Sequence, residues 1–367
     1  VSHRQLALDL ARDLEPTASN IQRVAALTDQ ETAAWAFTQW RLRRKAKQKF
    51  ELADRMLFVA EALEQATHEQ VARYHASRFP KGVPVVDLTC GIGGDLIALA
   101  RRGPAIGYET DNERLECARH NLEVHGLYAE TRHGDGTKHG ACPYALADPS
   151  RRVEGKRTLD LKSFEPNPFS LVDHLNKSEL ACMKLSPMIP DPQLESLAAS
   201  IEFVSFGGEC REALLWFGRS APRGRYAIHI ESGERLEAEG VVPATGNGRY
   251  FYEADPAAVR AHCLGTLCQR HRLKAVGDSN GYLAGDSLVQ SPWLTPFEAL
   301  QPCLESEQTV RRWLKENDAQ IAAVKTKGVR LDPHTLATRL RTVGRLKVEL
   351  AVYPNRNKFA YAILKRI

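Results

Sequence analysis

Residues 85–100 read VVDLTCGIGGDLIALA. A short apolar run ends in an acid, glycines crowd the next few positions, and a second apolar run follows. This order specifies a strand, a tight turn and a helix. Gly91, Gly93 and Gly94 fall in the turn, where glycine permits positive φ and lets another group approach the main chain. Glycine alone leaves two readings open, a ligand cradle or a turn packed tightly for structural reasons.

The surrounding texture extends the pattern. Residues 1–78 carry Leu, Ala, Ile and Val at helical spacing, and Phe79-Pro80-Lys81-Gly82 punctuates their end. From 83 onward strands and helices alternate: VPVVDLT, DLIALARRG, AIGYET, DNERLECARHNLEVHG, AETRHGD, YALADPS and LACMKLSP. Such alternation builds a parallel sheet with crossover helices. Later segments predict a hairpin over IEFVSFGGECREALLWFG, one helix over DPAAVRAHCLGTLCQRH, and a closing hairpin across Pro354-Asn355-Arg356-Asn357. The fold class is α/β, with three regions: a helical 1–79, a sheet domain 80–230, and a basic α+β region 231–367.

The 367 residues suffice for two or three domains, and no apolar stretch reaches the ~20 residues of a membrane span. The first residues lack a secretory layout, and the chain opens on Val1, which fits a trimmed start. The eight cysteines form no CxxC, so free thiols in the cytoplasm are expected. The cluster His262, Cys263, Cys268, His271 does not place its cysteines on one helix face, so no metal site is expected. Net charge is +5, unevenly spread: residues 308–367 hold fourteen basic and four acidic residues, and RLRRKAKQK occupies 41–49. Two basic segments suit a polyanion such as RNA, while solvated helix faces are the plainer alternative.

Three acids select the ligand class. Asp87 precedes Gly91, Glu109 ends the second strand twenty-two residues later, and Asp135 follows the third. A dinucleotide fingerprint would need glycine at Leu96, and Asp95 would repel a pyrophosphate. Asp-x-x-x-Gly-x-Gly suits a ligand with a cationic centre and an amino-acid tail, and S-adenosylmethionine has both without phosphate. A carboxylate at Glu109 can take both ribose hydroxyls, and Asp135 can reach the adenine amine.

On these residues the segment 83–220 resembles the class I S-adenosylmethionine-dependent methyltransferases. DLTCGIGGDLIALA resembles their first motif, and YETD, HGDG and ADPS the later ones. The CGIGG form is similar to that of trimethylguanosine synthase. Across the full chain ADRMLFVAEALEQAT, ADPSRR, KLSPMIP and KTKGVRLDP resemble a bacterial group with a helical N-terminal region and a THUMP-like C-terminal domain, here at about 295–367. The resemblance implies Asp87, Thr89, Cys90, Gly91, Gly93, Glu109, Thr110, Asp135 and Gly136 for the cofactor; Thr89 departs from the family's usual glycine. It implies Asp148, Pro149 and Arg151 for catalysis, and Arg151, Arg152 and Ser186 for the substrate.

In amine-methylating relatives the loop is Asp/Asn/Ser-Pro-Pro-aromatic, whereas here Ser150 and Arg151 replace the last two residues. An acid there orients an amine, and paired arginines can hold phosphate. Uracil C5 methyltransferases add a cysteine at the end of strand five; here Cys182 lies mid-strand, which favours direct transfer to nitrogen. The expected substrate is RNA, tRNA or rRNA. Methylation of a small molecule or protein, and RNA binding without catalysis, are the alternatives.

Overall fold

The computed structural model describes residues 2–150, 152–153, 156–240, 243–278, 281–356 and 358–367. It divides into two compact units: 1–185 with 189–199 and 215–222, and 186–188 with 200–214 and 223–367.

The first unit opens with five helices: α1 His3–Ala11, α2 Ala18–Ala25, α3 Gln30–Ala46, α4 Ala60–Gln65 and α5 Glu69–Ser77. The side chains of Ser2, Thr17 and Asp29 accept N–H groups of the first turns of α1, α2 and α3, supplying the caps that helix starts require. One face of α3 is polar yet buried. Gln39 both donates to the Phe58 carbonyl (2.8 Å) and accepts its N–H (3.0 Å), and Arg43 donates to the Met56 carbonyl (2.9 Å). Lys49 donates to the carbonyls of Leu63, Glu64 and Ala66, closing the C-terminus of α4. Of the six basic residues in 41–49, Arg43 and Lys49 therefore serve packing and capping, while Lys45 and Lys47 pair with Glu64 and Asp54 at the surface.

The sheet follows, with β1 Val85–Asp87, α6 Gly94–Arg102, β2 Ala105–Glu109, α7 Asn112–Val124, β3 Glu130–His133 and β4 Tyr144–Ala147. After a two-residue antiparallel pair, β5 Arg152–Val153 and β6 Lys156–Arg157, come α8 Pro168–Leu175, β7 Leu180–Leu185 and α9 Asp191–Glu195. The order β7-β4-β1-β2-β3 is parallel throughout. The chain first moves outward from β1 through β2 to β3, then returns to the other side of β1 with β4 and β7. The crevice at such a reversal, beyond the carboxyl ends of the strands, is where open α/β sheets bind ligands.

The second unit holds β8 Ser200–Phe206, most of β9 Glu209–Phe217, β10 Arg225–His229 and β11 Glu234–Glu237, with β10 parallel to β8 and antiparallel to β11. A seven-stranded sheet follows, built from β12 Tyr250–Ala254, β13 Lys274–Ala275, β14 Tyr282–Gly285, β15 Leu294–Leu304, β16 Ala319–Thr326, β17 Leu346–Asn355 and β18 Lys358–Arg366. Its helices are α10 Pro256–Arg260, α11 Leu264–His271, α12 Glu307–Glu316 and α13 Pro333–Arg339. The single helix expected over 255–271 is two, because His262 takes a left-handed conformation (φ 62°) between them. Cys263 is buried there, its thiol donating to the Leu236 carbonyl. Among the described residues no helix is long and apolar enough to cross a membrane, and no three His, Cys, Asp or Glu side chains are grouped to hold a metal ion.

Candidate active site

The turn after β1 answers the question raised by its glycines. Gly91 (φ 55°) and Gly93 (φ 92°) both occupy left-handed backbone that strains any other residue. Gly93 also starts α6 directly against α7: a Cβ there would lie 3.3 Å from the Ala118 Cα. Around Gly91 there is open space instead. That space belongs to a cavity of about 420 Å³ lined by the β1–α6 turn, the ends of β2 and β4, residues 134–136 and the α4–α5 turn. Its size lies within the range of small-molecule sites, about 300–1,000 Å³.

Each predicted acid of the cavity has a distinct hold. Asp87 is fully buried; its Oδ1 accepts the Thr89 N–H (3.1 Å), while Oδ2 has no hydrogen-bond partner among the described residues. Burial, and then the nearby Asp95 carboxylate, push its carboxyl well above the usual range. Glu109 ends β2 with Oε1 accepting the Asp111 N–H (2.9 Å) and the Thr110 hydroxyl (3.3 Å). Asp135 caps the short helix after β3, and the Thr137 hydroxyl holds its carboxyl below the usual range. Beside it Gly136 is obligatory, since a Cβ would come within 2.4 Å of the Leu88 carbonyl oxygen.

Thr89, Cys90, Thr110 and Gly136 also line the cavity. The Thr89 hydroxyl accepts the Asp148 N–H at 2.7 Å, so the departure from glycine ties the cofactor loop to the loop after β4. The Cys90 thiol is buried and pushed well above its usual range, first by desolvation and then by Asp87; it is a poor nucleophile.

Asp148 lines the cavity, as does Ser150, which forms a two-way main-chain bridge with Glu165. Pro149 is buried and does not line it. Arg151 and the side chain of Arg152 lie outside the described residues. Ser186 opens the second unit; it is buried, its hydroxyl accepts the Met188 N–H, and it is not among the lining residues.

A polar cluster that the sequence reading did not assign underlies Asp148. Lys184, 3% exposed in β7, donates to Asp95 (2.7 Å), Asp148 (2.8 Å) and the Thr67 hydroxyl (2.5 Å). Asp95 also meets His75 Nδ1 at 2.8 Å and accepts the Thr67 hydroxyl at 3.1 Å. Burial alone would raise the Asp95 carboxyl, but Lys184 and His75 hold it below the usual range. The signal was present as a lysine inside the apolar strand LACMKL and an acid in the first turn of α6. The cation inside an otherwise apolar strand demands a buried acid.

The residues fit S-adenosylmethionine. A buried carboxylate with an unmatched oxygen suits a cationic ligand, and the lining acids suit one without phosphate. The comparisons agree. Residues 83–147 match the model of a family described as RNA cap guanine-N2 methyltransferase. An uncharacterized S-adenosylmethionine-dependent methyltransferase of Mycobacterium tuberculosis, the same in two strains, is 34% identical over 332 residues, covering 86% of this chain and 90% of the relative. A crystal structure assigned as a methyltransferase, from Porphyromonas gingivalis W83, superposes with a TM-score of 0.78 at 19% identity, covering 99% of this chain and 97% of that one. The parallel sheet is accordingly the Rossmann-like sheet of class I methyltransferases, and the chain belongs to the S-adenosylmethionine-dependent methyltransferase family.

Proposed function

We propose that the protein transfers a methyl group directly to a nitrogen of an RNA base, in tRNA or rRNA. The observation that carries this reading is Asp148, a carboxylate 41% exposed at the cavity wall, with its main chain bonded to the cofactor loop through Thr89.

S-adenosylmethionine, when bound, supplies a methyl group activated by the sulfonium. Asp87, Thr89, Cys90, Gly91 and Gly93 would hold its methionine end, Glu109 and Thr110 its ribose, and Asp135 with Gly136 its adenine. The Asp148 carboxylate would accept an N–H of the amine and turn the nitrogen lone pair toward the methyl. Pro149 would fix the direction of the loop. Alignment of this kind can lower a barrier by up to about 7–11 kcal/mol. The lone pair forms the new N–C bond, the C–S electrons stay with sulfur, and the extra proton passes to water. Direct transfer is favoured because Cys182 is fully buried in β7 and does not line the cavity, and the Cys90 thiol resists ionisation.

RNA is favoured by the description of the matched family and by the basic C-terminal segment. Some of that charge is paired: Lys325 and Lys327 with Glu253, Arg339 with Glu307, Arg345 with Asp318. Arg312, Lys315, Arg330, Arg341 and Lys347 remain exposed, and would give phosphate contacts that position RNA without choosing a base. Arg151 and Arg152 are proposed to add phosphate contacts beside Asp148, and Ser186 to contribute to the substrate side.

Calorimetry with S-adenosylhomocysteine should show saturable binding that Asp87→Ala and Glu109→Ala abolish. Asp148→Ala should keep that binding and lose at least 100-fold in transfer of tritiated methyl to RNA from cells lacking the enzyme. Label recovered only in protein or small molecules would overturn the RNA assignment.

A further inference from the structure

We infer that Lys184 is a positioning residue for methyl transfer: from the buried side it fixes the Asp148 carboxylate in place as a hydrogen-bond acceptor. The inference rests on the assignment of Asp148 above. Its geometry is a gradient of exposure. The Lys184 side chain is 4% exposed and that of Asp148 41%, with 2.8 Å between Nζ and Oδ2. Asp148 is thus gripped from below while it lines the cavity.

The grip is itself braced. Lys184 sits on β7, which pairs directly with β4, the strand that delivers Asp148. The other donors of Nζ are directed to Asp95 on α6 and Thr67 on the α4–α5 turn. His75 on α5 backs Asp95 from the far side. An ammonium held by three acceptors is anchored, so its bond to Asp148 favours one placement of that carboxylate. A carboxylate beside such a cation is a weak proton acceptor. Asp148 therefore orients the amine through its N–H, and the proton released after N–C bond formation goes to water. Among the described residues, the charged and titratable groups facing Asp148 include Lys184 from β7 and Asp87 from β1, with Asp95 from α6 behind Lys184 and His75 from α5 behind Asp95. Glu165 lines the same cavity.

The test uses the full chain, tritiated S-adenosylmethionine and RNA from cells lacking the enzyme. Lys184→Met should reduce kcat about 100-fold with KM for S-adenosylmethionine changed less than threefold. Its acid limb should move to higher pH, because Asp95, which Lys184 and His75 hold below the usual carboxylate range, then loses the cation that lowers it most. Lys184→Met also strands Asp95, so Lys184→Met/Asp95→Asn separates folding from positioning. The double variant should regain the thermal stability of the wild type but not its kcat. Recovery of both would make Lys184 merely structural and overturn the inference. Full transfer by Asp148→Ala would overturn the assignment of Asp148 itself, an outcome readable independently of either lysine variant.

Discussion

Asp87 and Asp95 share one buried neighbourhood and titrate in opposite directions. Burial dominates at Asp87, whereas Lys184 and His75 overcome burial at Asp95. The signs differ for stability. Asp87, raised in the folded state, contributes stability that is present below its ordinary value of 3.8 and lost as pH rises through its raised folded value. Asp95, depressed, contributes fully at neutral pH and is lost only in acid below 3.8. Between mild acid and neutrality the Asp87 penalty therefore stands unmasked. Asp87→Asn should stabilise the cofactor-free protein at pH 7 by about 0.5–2 kcal/mol, with the gain shrinking toward pH 5. The same variant should bind S-adenosylmethionine at least tenfold more weakly. Thermal melts across pH, paired with calorimetry, check both; a loss of stability at pH 7 would contradict the argument. The placement of Asp87, Glu109 and Asp135 at the crevice was legible in the sequence because each ends or follows a strand there. Lys184 and Thr67 were not, because they lie 117 residues apart and meet only when β7 packs against the α4–α5 turn.

At the scale of elements, β1, β2, β4 and β7 were readable from short apolar runs, and α6 and α7 from their periodicity and closing glycines, whereas α8 between β4 and β7 was not read. The helix break at His262 was not, because helical periodicity runs on through Ala261 and Leu264 and gives no warning of a left-handed residue. Nor was the role of Asn121, a polar residue on α7 with no exposure at all. Its side chain accepts the Leu57 N–H (2.8 Å) and donates to the carbonyls of Leu57 (3.0 Å) and Ile92 (3.0 Å). One residue thus fastens the segment before α4 and the glycine turn to the same helix. Asn121→Ala leaves three main-chain groups without partners, and each such loss costs about 1–3 kcal/mol. We expect a destabilisation of about 3 kcal/mol or more, seen as a lower urea midpoint at unchanged slope. Asn121→Asp should cost as much, since a carboxylate cannot donate to either carbonyl. A loss below about 0.5 kcal/mol in both variants would show that the fastening is not used.

For the whole molecule, the sequence suggested a separate helical domain over 1–79, because the texture changes sharply at Phe79-Pro80. Composition marks where periodicity changes but not where contacts stop. In the structure the helices and the parallel sheet fall in one compact unit. The connections are polar as well as apolar: His75 with Asp95, Thr67 with Lys184, and Leu57 with Asn121. Ala62, Gln65, Ala66 and Thr67 also contribute directly to the cavity wall. A chain cut at residue 80 would keep Asp95 and Lys184 while removing His75 and Thr67. Depriving a buried charge of a partner costs about 3–5 kcal/mol, a large share of the 5–15 kcal/mol that holds a typical domain together. The chain 80–367 should therefore show no cooperative transition of the first unit and no measurable binding of S-adenosylhomocysteine, although it contains every residue assigned to the cofactor. Cooperative melting of the first unit in that chain, with an affinity within threefold of the full chain, would establish the helices as an independent appendage. The predicted failure would mean that the helices are needed to fold the unit that binds the cofactor, and that this unit begins well before its first strand.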